Sequence, residues 1–372
     1  MNIINLHITN NCNYNCTYCF GRFAEQEKLT FEQACKVVDN IKNHFVKNKI
    51  IDGRINLAGG EPLLCKYLDE LIDYINKSGI KVSIITNGSL LTKERIKLWK
   101  DKVFCIGLSI DSIAYETNCK IGRCCNNKSL SINQLVRLTQ VIHKCNIKLK
   151  INVVVSKLNI KEDFTEIFKR LKPDKIKFLQ MEIVDKVNQN AEIYKVSNKE
   201  FNSFCKKYNN SAIKVVKELS EDMENSYLMI NPQGEFQMNN SGCYQTYGNC
   251  LQQSLDEIIK NVPFNLKKFY SRYNEEGKDQ STKLKKKICV FGGHETWIKA
   301  ISSLVEDVKF ISDNVKCSKD LIRNTDEIWI QVNCISHSFR NKVQNLAKSY
   351  NIPVNYFESA SAKKCAEQII SS

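Results

Sequence analysis

Glycine and proline are scarce in this sequence, and long apolar runs are missing. The 372 residues include 14 glycines and 5 prolines without periodic spacing, which excludes collagen-like and low-complexity proteins. No apolar run approaches the roughly 18 residues that a membrane-spanning helix needs. The first residues, MNIINLHITNNC, show neither the basic segment nor the apolar core of a secretion signal. We therefore expect a cytoplasmic protein without membrane attachment.

Cysteine and positive charge, in contrast, are abundant. The 17 cysteines are an odd number, and without a secretion signal they indicate a reducing compartment. Their thiols would then bind metal, take part in catalysis or fill the core as small apolar groups. Lysine and arginine total 55 against 40 acidic residues, a net charge of +15. This excess favours an anionic partner such as a nucleotide, although lysines on solvated helix faces explain it equally well.

Six strand patterns in the first half of the chain are each separated by a helical pattern. The predicted strands are Ile3–Ile8, Arg54–Ala58, Lys81–Ile85, Val103–Ile110, Lys148–Val155 and Asp174–Met181. The predicted helices between them are Phe31–Val46, Tyr67–Ile75, Thr92–Trp99, Ile132–His143 and Lys161–Leu171. This order predicts an α/β fold, a partial (β/α)6 barrel with a parallel sheet. Active-site residues are then expected at the carboxyl ends of the strands.

The pattern changes beyond residue 181. We predict a barrel domain over 1–181, a C-terminal extension over 182–275, a linker over 276–286 and a small doubly wound α/β domain over 287–372. The extension is expected to contain a helix near Asn198–Tyr208 and two short strands within Tyr227–Met238. In the last domain, the strand Lys287–Phe291 leads into Gly292-Gly293-His294, a turn that can present backbone amides to an anion.

Three cysteines follow the first predicted strand, with the spacing Cys12-x3-Cys16-x2-Cys19. Three thiolates on a short loop can each bind one iron of a [4Fe-4S] cluster, which leaves the fourth iron open. A zinc site needs a fourth ligand nearby, and His7, inside the strand, is poorly placed to supply it. Chance spacing is the other alternative in a cysteine-rich chain. The spacing favours a cluster bound by Cys12, Cys16 and Cys19.

The cysteine motif, followed by Phe20, resembles the signature of the radical SAM superfamily. Three further motifs of that superfamily follow in order: Gly59-Gly60-Glu61-Pro62, Thr86-Asn87-Gly88-Ser89 and Ser109-Ile110-Asp111-Ser112. The resemblance implies a [4Fe-4S] cluster that binds S-adenosylmethionine and cleaves it to a 5′-deoxyadenosyl radical. It also implies which residues bind S-adenosylmethionine: Gly59, Gly60, Glu61, Thr86, Asn87, Ser109, Arg123 and Asn152.

Within that superfamily the chain resembles the viperin family from Asn5 to about Tyr273. The matching stretches, in their collinear order, include Asn5–Cys12, Ile55–Pro62, Ile121–Arg123, Lys150–Asn152, Lys177–Gln180, Asn225–Leu228 and Phe264–Arg272. The resemblance implies conversion of a ribonucleoside triphosphate to its 3′-deoxy-3′,4′-didehydro analogue. It also implies a flavodoxin- or ferredoxin-like electron donor, a role in antiphage defence and no direct binding of nucleic acid.

A nucleoside triphosphate carries about four negative charges, so its site needs several cations. By resemblance, Arg54, Lys150, Lys177 and Arg272 hold the triphosphate, and Asn5 and Asn56 contact the nucleotide. A solvent-facing position is the alternative for each strand lysine. Several lysines inside a barrel nevertheless favour an anion there, because lysine is rarely buried without a partner.

Tyr227 matches the proposed catalytic tyrosine of the viperin family. A phenol with a pKa of about 10 can supply the proton and the electron that complete the loss of the 3′-hydroxyl. Packing within the apolar run Tyr227–Ile230 is the other interpretation.

Two other functions remain open from the sequence. Cys243 and Cys250 resemble the tails of radical SAM enzymes that modify peptides through auxiliary clusters. A nucleotide sensor that keeps a structural cluster is the second. For the last domain, Cys334 and His337 are a candidate metal pair, but a scaffold or ligand-sensing role with an unidentified ligand is expected.

Overall fold

A computed structural model of the chain describes residues 2–21, 28–125, 128–209, 213–269, 287–302, 304–305, 308–312, 319–357 and 359–371. The chain divides into two compact units, Met1–Lys268 and Phe269–Ser372. The predicted linker over 276–286 lies outside the described residues, and the predicted domain limits stay predictions.

The first unit is built on one sheet of ten strands. Seven parallel strands follow the chain: β1 Ile3–His7, β2 Arg54–Ala58, β3 Lys81–Thr86, β4 Val103–Ser109, β5 Lys148–Val155, β6 Lys175–Gln180 and β7 Lys214–Glu218. Beside β1 lie β8 Met229–Ile230, β9 Glu235–Asn240 and β10 Cys243–Asn249, which give the order β10-β9-β8-β1-β2-β3-β4-β5-β6-β7. Among the described residues the sheet does not close, so the predicted α/β class with a partial barrel is confirmed. Strands β7 and β10 come in addition to the six strands predicted for the barrel and the two predicted within Tyr227–Met238.

Helices lie between and after these strands, and most of them bury apolar residues in one shared core. They are α1 Phe31–Lys47, α2 Leu68–Lys77, α3 Lys93–Leu98, α4 Tyr115–Ile121, α5 Ile132–Lys144, α6 Thr165–Leu171, α7 Asn198–Lys206, α8 Ser220–Met223 and α9 Leu255–Lys260. Capping boxes begin several of them; at α1, Thr30 accepts from the Gln33 backbone and the Gln33 side chain accepts from the Thr30 backbone. Helix α4 was not predicted; it ends at Ile121, two residues before Arg123.

The two faces of the sheet differ in polarity because strand side chains alternate. Ile4, Leu6, Ile55 and Leu57 point into the apolar core shared with the helices. The opposite face, called the polar face below, carries residues that neighbour one another in register: Asn5, Arg54, Asn56, Ser83, Cys105, Gly107, Lys150, Asn152, Lys175, Lys177, Lys214 and Glu218. A ligand-facing surface of this kind is expected inside a barrel and not in a core.

The second unit has four parallel strands in the order β12-β11-β13-β14. They are β11 Ile288–Phe291, β12 Val308–Ile311, β13 Glu327–Ile330 and β14 Val354–Tyr356. Its helices are α10 Glu295–Ser302, α11 Lys319–Arg323, α12 His337–Ser349 and α13 Ala362–Ser371. Separate apolar clusters cover the two faces of the sheet, one around Val290 and one around Phe291, which confirms the small doubly wound domain. In neither unit does a helix of described residues have the length and apolarity to cross a membrane.

Candidate active site

The cysteine loop, residues 12–19, follows β1 at the carboxyl edge of the sheet. The segment just before it is bound to the Gly59-Gly60-Glu61 turn after β2. The amide of Gly60 donates to the carbonyl of Thr9 at 2.7 Å, and that of Glu61 donates to the carbonyl of Asn11 at 2.7 Å. A Cβ on Gly60 would stand 2.2 Å from the Asn11 oxygen, so only glycine permits this approach. The first of the three predicted motifs therefore supports the entry to the cysteine loop.

The other side of the cysteine loop is held by the end of α4. The amide of Asn15 donates to the carbonyl of Gly122 at 3.0 Å, and that of Thr17 donates to the carbonyl of Ile121 at 2.8 Å. Gly122 has a φ of 86°, the left-handed conformation that ends the helix. The loop is thus fixed between two glycine turns.

The cysteine sulfurs lie among hydrogen-bond donors. The amide of Tyr14 is 3.4 Å from the Cys12 sulfur, and Asn87 Nδ2 is 3.9 Å from the same atom. Arg123 Nη1 is 3.9 Å from the Cys16 sulfur. Burial raises the pKa of the Cys16 thiol to about 12, and the nearby Arg123 charge opposes this effect. Donors that favour a thiolate in a half-buried loop suit sulfurs that bind iron.

The three cysteines do not converge as ligands of a single ion. In the part of the chain that is described, no three His, Cys, Asp or Glu side chains are arranged to hold one metal ion. A cluster of four irons instead takes its thiolates at separate corners, and three of them leave one iron open. Three thiolates are the number that such a cluster takes from one short loop, so the donor set fits a [4Fe-4S] cluster.

Glu61 joins the motifs after β2 and β3. Its carboxylate is fully buried and accepts from Thr86 Oγ1 at 2.6 Å and from the Asn87 amide at 2.8 Å. Burial raises its pKa, while these hydrogen bonds and the one from the Leu63 amide lower it. The side chain of Asn87 continues the network to the cysteine loop by donating to Asn13 Oδ1 at 2.9 Å.

Arg123 is buried beside Asp111, at 2.8 Å between Nη1 and Oδ2. Its Nη2 donates to the carbonyl of Ser109 at 2.7 Å. Burial lowers the pKa of Arg123, but Asp111 outweighs that effect and raises it above its usual range. Asp111 also accepts from the hydroxyl of Tyr18 at 2.9 Å, which ties β4 to the cysteine loop. Sequence reasoning included Arg123 and Ser109 but gave Asp111 no role.

A cavity lies beside this ion pair. Among its lining residues are Tyr14, Asn87, Ser109 and Arg123. Three of the residues expected to bind S-adenosylmethionine therefore share one cavity at the end of the cysteine loop. Asn152 is buried on the polar face, where its Nδ2 would lie 3.2 Å from a Cβ on Gly107.

The polar face contains five of the residues expected to bind the nucleotide: Asn5, Arg54, Asn56, Lys150 and Lys177. Asn56 Nδ2 donates to Asn5 Oδ1 at 2.9 Å, across neighbouring strands. Lys150 is in register with Lys175 on β6, which is in turn in register with Lys214 on β7. Sequence reasoning missed Lys175 and Lys214, although the alternation of β6 could have indicated Lys175.

Arg54 lies at the start of β2, and its guanidinium is 5.6 Å from the centre of the Phe104 ring. It is half-buried at the end of the polar face opposite the cysteine loop. Arg272 lies outside the described residues.

Lys177 has a different environment from Lys150. Its Nζ is 2.6 Å from Glu218 Oε1 and donates to the hydroxyl of Tyr227 at 2.6 Å. The Tyr227 hydroxyl donates to Glu218 Oε2. The structure thus joins the predicted catalytic tyrosine to a predicted triphosphate lysine, both directly and through an acid that sequence reasoning missed.

The β9–β10 hairpin lies next to the cysteine loop. Tyr244 stacks on Phe20 with ring centres 5.7 Å apart, and Asn239 donates to the carboxylate of Glu182. Burial raises the pKa of Glu182 to about 7; the Asn239 hydrogen bond and Lys195 lower it, and Glu224 raises it. Neither Tyr244 nor Glu182 was singled out in the sequence.

Comparison with known proteins identifies relatives of this chain. Residues 6–171 match the family model described as the Radical SAM superfamily. An S-adenosylmethionine-dependent nucleotide dehydratase of Selenomonas ruminantium is 32% identical over 277 residues, which cover 73% of this chain and 98% of the relative. A protein of the same name from Flammeovirga pacifica is 31% identical over 72% of this chain and 93% of the relative. A nucleotide dehydratase of Danio rerio that also depends on S-adenosylmethionine is 28% identical over 72% of this chain and 76% of the relative.

Solved structures agree on the fold. anSMEcpe with bound AdoMet and a peptide superposes with a TM-score of 0.56 and 16% identity over 73% of this chain and 82% of that chain. Streptococcus suis SuiB bound to S-adenosylmethionine gives a TM-score of 0.53 and 13% identity over 75% of this chain and 68% of that chain. At these identities the likeness extends to the fold alone. The chain therefore belongs to the radical SAM superfamily and, within it, to the family of S-adenosylmethionine-dependent nucleotide dehydratases, whose cofactors are a [4Fe-4S] cluster and S-adenosylmethionine.

Proposed function

We propose that this enzyme converts a ribonucleoside triphosphate to its 3′-deoxy-3′,4′-didehydro analogue. The observation that carries the proposal is the layout of one sheet face. The cysteine loop and the cavity beside Arg123 lie at the carboxyl edge, and the row Lys150–Lys175–Lys214 crosses the same face below them. A radical formed near the cysteine loop and a triphosphate bound by the lysine row suit a nucleotide whose ribose lies between the two.

The residues divide between two ligands. Cys12, Cys16 and Cys19 would hold the cluster, which together with S-adenosylmethionine supplies the 5′-deoxyadenosyl radical. Gly59, Gly60, Thr86, Asn87, Ser109, Arg123 and Asn152 surround S-adenosylmethionine, and Glu61 fixes the two loops that contact it. Asn5, Asn56, Arg54, Lys150 and Arg272 bind the nucleotide.

The chemistry balances with one electron and one proton. Transfer of the ribose 4′-hydrogen to the adenosyl radical leaves an unpaired electron at C4′. The C3′–O bond then breaks, the hydroxyl leaves as water after taking up a proton, and the added electron completes the C3′=C4′ double bond. Tyr227 supplies the proton and the electron and is left as a phenoxyl radical, which an external flavodoxin- or ferredoxin-like donor would return to the phenol with uptake of one proton. The same class of donor would supply the electron that the cluster needs.

The product lacks a 3′-hydroxyl, so a polymerase that incorporates it cannot extend the chain. That property supports a role in antiphage defence.

Anaerobic reaction of the reconstituted, reduced protein with each of the four ribonucleoside triphosphates tests this function. Mass spectrometry should find 5′-deoxyadenosine together with a nucleotide lighter than its substrate by one water, for one base above the others. Formation of 5′-deoxyadenosine without any dehydrated nucleotide would refute the proposed substrate class.

The same preparation separates the two alternatives. A peptide-modifying enzyme with auxiliary clusters needs about eight or more irons per chain. Iron and sulfide analysis should give about four per chain. A sensor with a structural cluster would not cleave S-adenosylmethionine when reduced.

A further inference from the structure

Glu218 is an acid on the cation-rich polar face. Its side chain is 1% exposed, and that of Lys177 is 10% exposed. The carboxylate accepts from the Tyr227 hydroxyl and lies 2.6 Å from Lys177 Nζ, which itself donates to the Tyr227 oxygen. The three groups form a closed triangle at the β6–β7 side of the sheet, in which Glu218 is buried and Tyr227 is half-buried.

A carboxylate in this place works against the binding of a polyanion. Its charge offsets that of Lys177, on the same face as Arg54, Lys150 and Lys175. Its burial also costs solvation free energy, which the lysine contact and the tyrosine hydrogen bond offset. A site that only bound a triphosphate would gain nothing from Glu218, so its role lies with the third member of the triangle.

We propose that Glu218 is a positioning residue for Tyr227, an inference that rests on the proposed function. Glu218 accepts the phenol hydrogen and holds the Lys177 ammonium against the phenol oxygen. Both contacts fix the rotation of the hydroxyl and the place of the ring on the polar face. Without the carboxylate, the hydroxyl rotates to other partners and no longer meets the nucleotide radical in one geometry. Lys177 acts mainly on Glu218 and Tyr227, whereas Lys150 and Lys175 neutralise more of the triphosphate charge.

The test compares Glu218→Gln with wild type under single-turnover, anaerobic conditions. The amide keeps the size of the side chain and removes its charge. Dehydrated nucleotide per 5′-deoxyadenosine should fall at least about tenfold, the effect expected for losing one charge-assisted hydrogen bond. The dissociation constant of the triphosphate should stay equal or decrease, because a negative charge has left the site. An unchanged product ratio would overturn the proposal.

Two further variants guard against a merely structural effect. Glu327→Gln removes a buried strand glutamate of β13 in the second unit, where Glu327 accepts from Trp329 and Asn355. It should leave the product ratio unchanged, and an equal fall there would count against a specific role of Glu218. Glu218→Asp keeps the charge but withdraws it by one methylene. It should give an intermediate ratio, and it replaces Glu218→Gln if that variant does not fold.

A spectroscopic readout separates this inference from the proposed function. With 3-fluorotyrosine placed only at position 227, the ¹⁹F resonance of the full chain should shift in Glu218→Gln and not in Glu327→Gln. An unshifted resonance would overturn the positioning role. Failure of wild type to dehydrate any nucleotide would refute the proposed function and leave the ¹⁹F result standing.

Discussion

Gly122 lies against Asn15 so closely that a Cβ on Gly122 would stand 2.2 Å from the Asn15 carbonyl oxygen. Asn15 belongs to the cysteine loop, and Gly122 directly precedes Arg123. One glycine therefore sets the distance between the cysteines proposed to bind the cluster and the arginine proposed to contact S-adenosylmethionine.

Gly122→Ala should impair cluster binding more than fold stability. Alanine at a φ of 86° costs about 1–2 kcal/mol, and the Cβ additionally pushes the Asn15 backbone away. Iron and sulfide per chain and the absorbance of the reconstituted cluster should fall. Gly79→Ala is the matched control, because Gly79 has a φ of 77° but nothing within 4 Å of a Cβ. Equal iron content in the two variants would contradict this prediction.

Cys16→Ala should abolish formation of 5′-deoxyadenosine. Two thiolates leave two irons of the cubane without protein ligands, so the open iron that binds S-adenosylmethionine is no longer unique. Cys243→Ala removes an exposed cysteine of the same unit and should retain activity. Normal turnover of Cys16→Ala would refute the assignment of the cluster ligands.

Lys150→Glu should weaken binding of the nucleotide triphosphate while cleavage of S-adenosylmethionine without substrate persists. Loss of one charge-assisted phosphate contact costs on the order of 2 kcal/mol, about thirtyfold in affinity, and charge reversal adds repulsion. Isothermal titration with each triphosphate measures the effect. Lys42→Glu, an exposed change on α1, should bind as wild type does. A nucleoside monophosphate that reacts as well as the triphosphate would argue against a cation cradle.

Glu182 should make the stability of the first unit depend on pH. Folding raises its pKa from 4.5 to about 7, chiefly because burial disfavours the charged carboxylate, and Glu224 adds to the rise. Asn239 and Lys195 lower the pKa but do not outweigh burial. Tyr244 lies nearby. A raised pKa means that the contribution of Glu182 to stability is fully present below about pH 4.5 and is lost as the pH rises through 7.

Glu182→Gln removes this titration. Relative to wild type it should be stabilising by about 1–2 kcal/mol at pH 8, after allowance for partial solvent screening, and near neutral at pH 5. Urea unfolding at the two pH values measures the difference. Glu166→Gln, on the exposed side of α6, is the comparison variant. An identical effect of Glu182→Gln at both values would disprove the prediction.

The parts of the site that the sequence predicts are those set by contiguous residues. The cysteine spacing and the Gly59-Gly60-Glu61 turn place chemistry within a few residues of a strand end, and parallel strands bring those ends to one edge. Asn5 and Asn56, named from the family resemblance, each lie on a predicted strand and are hydrogen-bonded to each other in the structure.

Glu218 and Tyr244 were not predicted because the sequence pattern of a strand that lines a polar interior resembles that of a solvent-exposed strand. Strand β7, with the sequence KVVKE, has charged ends and only two apolar residues, so its pattern does not indicate burial. Strand β10 is mostly polar for the same reason, yet its Tyr244 reaches the aromatic residue after Cys19. Which charged side chain faces another across such strands depends on register, and register is a tertiary property.

Tyr227→Phe should separate radical formation from its completion. The substitution keeps the ring and removes the hydroxyl that contacts Glu218 and Lys177, so the fold and both binding sites should persist. Transfer of the 4′-hydrogen needs only the adenosyl radical near the ribose, whereas loss of the 3′-hydroxyl also needs a proton and an electron. The variant should therefore cleave S-adenosylmethionine slowly and yield little didehydro nucleotide. With a 4′-deuterated substrate, deuterium should still appear in 5′-deoxyadenosine, because that transfer precedes the step that Tyr227 serves. Product formation at the wild-type rate would make Tyr227 a packing residue and would move the reductant to the cluster or to an external donor.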